Sequence, residues 1–83
     1  MDLHHPLMTE FPEYRDTIRK LKTEDPDFLK IFDDYHHLDY AIYRIEEEIE
    51  VATDAETEEL KKKRALLKDR AYLALRRASG ELP

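Results

Sequence analysis

Cysteine and tryptophan are missing from these 83 residues, glycine occurs once, and serine occurs once. The first absence removes disulfide frameworks, zinc knuckles and thiol nucleophiles, so nothing marks an oxidising compartment and the expectation is a reducing cytoplasm. The single glycine, Gly80, stands almost at the end of the chain, which leaves no glycine-rich loop to cradle a phosphate. The single serine, Ser79, lies beside it at a fraying end and is a poor nucleophile there. The longest apolar run is Ala71–Leu75, far short of the roughly 20 residues needed to cross a bilayer, and no membrane role is expected. Asp2, His4 and His5 occupy the place where a signal peptide would carry basic and then apolar residues. Bases are outnumbered by acids, 14 to 20, for a net charge of −6; this disfavours general binding to nucleic acid.

What is present is helical spacing. Prolines stand at 6, 12, 26 and 83, so nothing interrupts the chain between Pro26 and Ser79. Within that stretch Phe28, Tyr35, Ile42 and Ile49 recur every seven residues, with Ile31, Leu38 and Ile45 between them. This is the alternating three-four spacing of a coiled-coil seam, and a strand would put half of these side chains in water. Asp25-Pro26 reads as an N-cap followed by a ring preset for the first helical turn. Thr53 and Glu56 have capping-box spacing. The reading is therefore all-α: an antiparallel two-helix coiled-coil hairpin, about 26–51 and 54–79, turning at residues 51–53. The second stripe holds Leu60, Leu67, Ala71, Ala74, Leu75 and Ala78, interrupted by Arg64.

Charge favours a hairpin over a continuous rod. Residues 26–50 carry −6 and residues 54–79 carry +3, so folding back sets acids against bases. The register places Asp27, Asp33, Asp34 and Asp39 near Lys68, Arg70, Arg76 and Arg77. Phe11, Tyr14, Ile18 and Leu21, with Pro12 at the first helical position, predict a short amphipathic helix over about 12–24. Too short to persist alone, it needs a surface to rest on. Residues 1–10 read as a flexible tail on a single domain spanning 1–83.

The pieces Phe11-Pro12-Glu13-Tyr14-Arg15-Asp16, Leu21-Lys22, Asp25-Pro26-Asp27-Phe28, Phe32-Asp33, Leu38-Asp39 and Leu67-Lys68-Asp69 occur in this order. In these residues the chain resembles the YdcH-like family of small bacterial proteins, over about 11–75. The resemblance implies a small helical, coiled-coil protein whose biochemical role is not established. Where relatives tend to carry a His-Asn pair ahead of the Leu-Asp, this chain has Tyr35 and His36, followed by His37.

Few residues offer chemistry. Asp33, His36 and Asp39 share a helix face at the carboxylate-x-x-histidine spacing of di-metal bundles. Such a site needs carboxylates from facing helices, and the facing helix offers Lys68 and Arg70 instead. His4 and His5 in a tail are incidental on this reading. No metal ligand, catalytic residue or cofactor site is expected, and the chain is not expected to be an enzyme.

Two surfaces remain. Tyr40 and Tyr43 flank the seam, and with Phe32, Leu66 and Leu73 they form a candidate interface, unless Ile18 and Tyr14 of the first helix cover Tyr43. A lone two-helix seam is marginal in stability, so the leading expectation is an interaction or adaptor module that self-associates into a dimer or higher bundle, with an unidentified protein partner also open. The alternative is a nucleic-acid-associated regulator using a basic stripe of Lys61, Lys62, Lys63, Arg64, Lys68 and Arg70. Glu58 and Glu59, four residues ahead of Lys62 and Lys63, give that run a plainer meaning as a paired, solvated face.

Overall fold

The computed structural model describes residues 4–82. In order these form α1 (Leu7–Glu10), a single 3₁₀ turn (Pro12–Tyr14) running into α2 (Arg15–Glu24), then α3 (Pro26–Glu46) and α4 (Asp54–Ala78). There is no strand among the described residues, and α3 and α4 pack along each other as the long antiparallel hairpin. The molecule measures 42 × 22 × 19 Å, its long dimension set by the 25 residues of α4 at about 1.5 Å rise each.

The predicted starts are present in atomic detail. The Asp25 carboxylate accepts from the N–H groups of Asp27 and Phe28 at 3.0 and 3.1 Å, ahead of Pro26. Thr53 Oγ1 accepts from Glu56 N–H at 3.0 Å, while Glu56 Oε1 accepts from Thr53 N–H at 3.2 Å, a complete capping box. Gly80, with φ of 77°, ends α4 in the left-handed conformation glycine adopts without penalty.

The first long helix stops earlier than its heptads predict, at Glu46 rather than near 51. Glu48 takes φ of 59°, its N–H donating to the Ile45 carbonyl and that of Ile49 to Arg44, at 3.0 and 2.8 Å. This is a Schellman closure with glutamate in the glycine position. Arg44 reaches forward to Glu50 at 2.7 Å, and Glu46, Glu47, Glu48 and Glu50 crowd a terminus whose dipole repels anions. Ile49, the last predicted seam position, therefore lies in the connection and is 60% exposed. The turn has seven residues, 47–53, not three.

The N-terminal part departs further from expectation. Residues 4–10 are not a free tail: Leu7 is fully buried and belongs to one core with Tyr14, Ile18, Phe28, Tyr35, Ala71 and Leu75. Residues 1–3 of that expected tail lie outside the described residues. α2 packs on both long helices of its own hairpin, as its apolar stripe requires. It does not cover Tyr43: Tyr14 instead meets Phe11 and Tyr72, and its hydroxyl donates to Glu81.

Candidate functional site

One charged side chain among the described residues is fully buried. Asp39, on the flank of the α3 seam, is 2% exposed. Arg64 Nη1 reaches it across the hairpin at 3.0 Å, the His5 backbone N–H donates to it at 3.0 Å, and His4 Nδ1 lies 3.3 Å away. A carboxylate taken out of water is tolerated only where donors replace its hydration. Here the donors come from α4 and from the segment before α1.

That segment is held by its backbone. Tyr35 Oη donates to the His5 carbonyl at 2.6 Å, and Leu7 N–H donates to His36 Nε2 at 3.3 Å. The other ring nitrogen of His36 donates to the Phe32 carbonyl at 2.8 Å, which assigns its proton to Nδ1. His4 lies against the Tyr43 ring, with centroids 4.1 Å apart. His4 and His5 are thus not the incidental residues of a tail that the sequence alone suggests, because both are engaged with α3. His36 and Asp39, which the spacing puts on one helix face with Asp33, both hold the N-terminal segment by its backbone.

The predicted charge register is also revised. Asp39 meets Arg64 rather than Lys68 or Arg70, Asp34 pairs along its own helix with Lys30 at 3.2 Å, and Lys68 binds Glu10 at 3.1 Å. For Lys68 the reason is the packed N-terminal segment, whose Glu10 carboxylate supplies its partner. The basic stripe is divided. Lys61, Arg64 and Lys68 point to Glu46, Asp39 and Glu10, while Lys62, Lys63 and Arg70 face solvent.

The five candidate interface residues are divided too. Phe32 lies beneath the Lys22 ammonium, 4.4 Å from its ring centre, and 4.3 Å from the His36 ring. Tyr40 and Tyr43 stack with each other and with His4. Leu66 is 59% exposed and Leu73 43%. Leu66 borders a groove of about 480 Å³ that it shares with Asp34, His37, Leu38, Lys63, Leu67 and Arg70.

Two phenols report on this packing. Burial, reinforced by the negative charges of Asp39 and Glu10 and opposed by Arg64, pushes Tyr35 up to about 12. The Glu81 carboxylate that accepts its hydrogen bond, with burial second, pushes Tyr14 up to about 12. Both lie above the ordinary value of 10, so the fold favours the neutral phenols. The stability they contribute is intact below pH 10 and is lost as pH rises through about 12. Helical circular dichroism should therefore collapse in that alkaline window together with a late step in phenolate absorbance, and Tyr35→Phe should move the collapse upward. Full ionisation of the tyrosines with the helices intact would contradict it.

Sequence reasoning missed the Asp39–Arg64 pair, although Arg64 interrupting an apolar stripe was a usable signal: a cation at such a position needs a buried acid opposite. The segment from His4 to Leu7 carried only a weak one, the apolar Leu7-Met8 after Pro6.

Residues 28–75 match a family model described as "Protein of unknown function (DUF465)". The chain is 41% identical over 69 residues to "Uncharacterized protein YdcH" of Escherichia coli (strain K12), a match spanning 83% of this chain and 93% of that relative. The protein of the same description from Shigella flexneri matches to the same extent. No solved structure matches. No described helix is long and apolar enough to cross a membrane. The family match runs from the first buried residue of α3 to the last of α4 and contains both Asp39 and Arg64. The chain belongs to the YdcH-like family of proteins of unknown function (DUF465).

Proposed function

We propose that this chain is a small, non-enzymatic interaction or adaptor module of the cytoplasm that self-associates through the leucine face of its hairpin. The observation that carries the reading is the open groove between α3 and α4 with Leu66 on its rim. Leu73 continues that face one heptad further along α4. Isolated exposed leucines are ordinary, but two at heptad spacing beside an apolar groove form a seam without a partner.

Charge supports a second copy as occupant. The groove has Asp34 on its α3 side and Lys63 and Arg70 on its α4 side. A two-fold arrangement sets each α3 beside the other copy's α4, acid against base, so one surface is complementary to itself. Tyr40, 53% exposed, remains available at the margin of such an assembly, whereas Phe32 and Tyr43 serve the chain's own packing. The lack of cysteine supports the reducing compartment.

Light scattering on a sizing column, over a dilution series of untagged protein, tests this. The expected result is a multiple of 10.0 kDa, reduced to the single-chain mass by Leu66→Glu combined with Leu73→Glu while helicity is retained. A single-chain mass at every concentration, or an assembly indifferent to both substitutions, would overturn the reading.

A further inference from the structure

Beyond the leucine face, we infer that the surface around Tyr35, His36 and Asp39 is a peptide-binding site, occupied in the free protein by the chain's own residues 4–8. Its ligand class is a peptide that is extended over three residues and then enters a helical turn, with a leucine at the start of that turn that plugs the core and an aromatic or imidazole ring three residues before it.

The argument rests on which atoms are contacted. Three side chains on one side of α3 bind main-chain atoms: Asp39 accepts from His5 N–H, Tyr35 donates to the His5 carbonyl, and His36 accepts from Leu7 N–H. Side chains that hold a peptide by its backbone give affinity without regard to sequence, and the pockets for alternate side chains set specificity. Two such pockets are visible. Leu7 fills a buried gap among Phe28 and Tyr35 of α3, Ala71 and Leu75 of α4, and Tyr14 and Ile18 from the 3₁₀ turn and α2, and the His4 ring lies on Tyr43.

The polar half of the site is built from the hairpin itself. Arg64, from α4, orients the Asp39 carboxylate at 3.0 Å, and a cleft of about 220 Å³ lined by His5, Tyr35, Lys61, Arg64 and Lys68 continues alongside the segment. Tyr35, His36, Asp39 and Arg64 all fall within the residues the family model matches, while residues 4–8 lie outside it. A tethered segment acts at an effective concentration of about millimolar, so the chain's own residues are a competitor that a partner peptide must displace.

The test uses the full chain and an acetylated synthetic peptide of residues 4–11. Leu7→Ala weakens the tethered competitor, and this variant is expected to bind the peptide at least about tenfold more tightly than the unaltered chain, by fluorescence anisotropy at low temperature. Adding Asp39→Asn to that variant is expected to reduce binding by about tenfold, and a peptide with its leucine replaced by alanine is expected to bind as poorly. No saturable binding by a helical Leu7→Ala chain, or binding indifferent to Asp39, overturns the proposal. Should Leu7→Ala not fold, the unaltered chain decides: several millimolar peptide should shift the amide resonances of His5 and Leu7 and the ring signals of His36, and unchanged spectra overturn it.

Discussion

Replacing Asp39 by alanine should destabilise the fold by about 3 kcal/mol, because removing one member of a buried pair leaves the other without its counter-charge. Arg64, whose side chain is 19% exposed, would lose its carboxylate, and the His5 N–H would lose its acceptor. In a domain of this size about 1 kcal/mol moves the melting temperature by roughly 4–8 °C, so thermal circular dichroism should show a fall of more than about 10 °C. Asp39→Asn, which keeps an acceptor of similar shape, should cost less. Removing Arg64 as well should add little, since the two residues act as one unit. A loss below about 1 kcal/mol, the range of exposed ion pairs, would show that the carboxylate is hydrated in solution and the pairing incidental.

Leu7→Ala should cost about 2–5 kcal/mol in urea unfolding, the range for deleting a buried leucine side chain. A residue in a free tail would change stability by less than about 0.5 kcal/mol, so the two descriptions of this segment differ several-fold in a single measurement. The argument is one of packing. Leu7 is fully enclosed among Tyr14, Ile18, Phe28, Tyr35, Ala71 and Leu75, and a core this small has few neighbours that could close over the missing atoms. Met8, only partly buried, should tolerate the same change far better and serves as the local control. Equal and small effects at both positions would mean that residues 4–8 leave the hairpin readily.

The two variants bear on different halves of one assembly. Asp39 draws the hairpin's two helices and the N-terminal segment to a single point, and Leu7 locks that segment by its apolar side chain. Their effects should not simply add, because loss of either loosens the contact that the other completes. The leucine face around Leu66 is untouched by both, so self-association and segment docking can be measured separately.

Local rules sufficed where the chain speaks to its near neighbours. Asp25-Pro26 started α3, the Thr53–Glu56 box started α4, and Gly80 ended it, each through hydrogen bonds between residues at most a few positions apart. The seven-residue spacing set the seam of the hairpin because helical periodicity is itself a local property. The same reasoning overran the end of α3. A Schellman closure on Glu48 requires a left-handed residue that composition alone does not announce, and glutamate enters that conformation only when the surroundings compensate it.

Helix type, helix starts and the antiparallel seam follow from residue order alone, because propensity, capping and amphipathic spacing act within a turn or two of chain. The burial of Asp39 against Arg64, the docking of His4–Leu7 and the division of the basic stripe belong to the folded molecule. Those polar contacts join residues 15 to 58 positions apart. Which acid meets which base at that separation depends on how a third segment fits between two helices, and shape complementarity of that kind leaves no periodic trace in the order of residues.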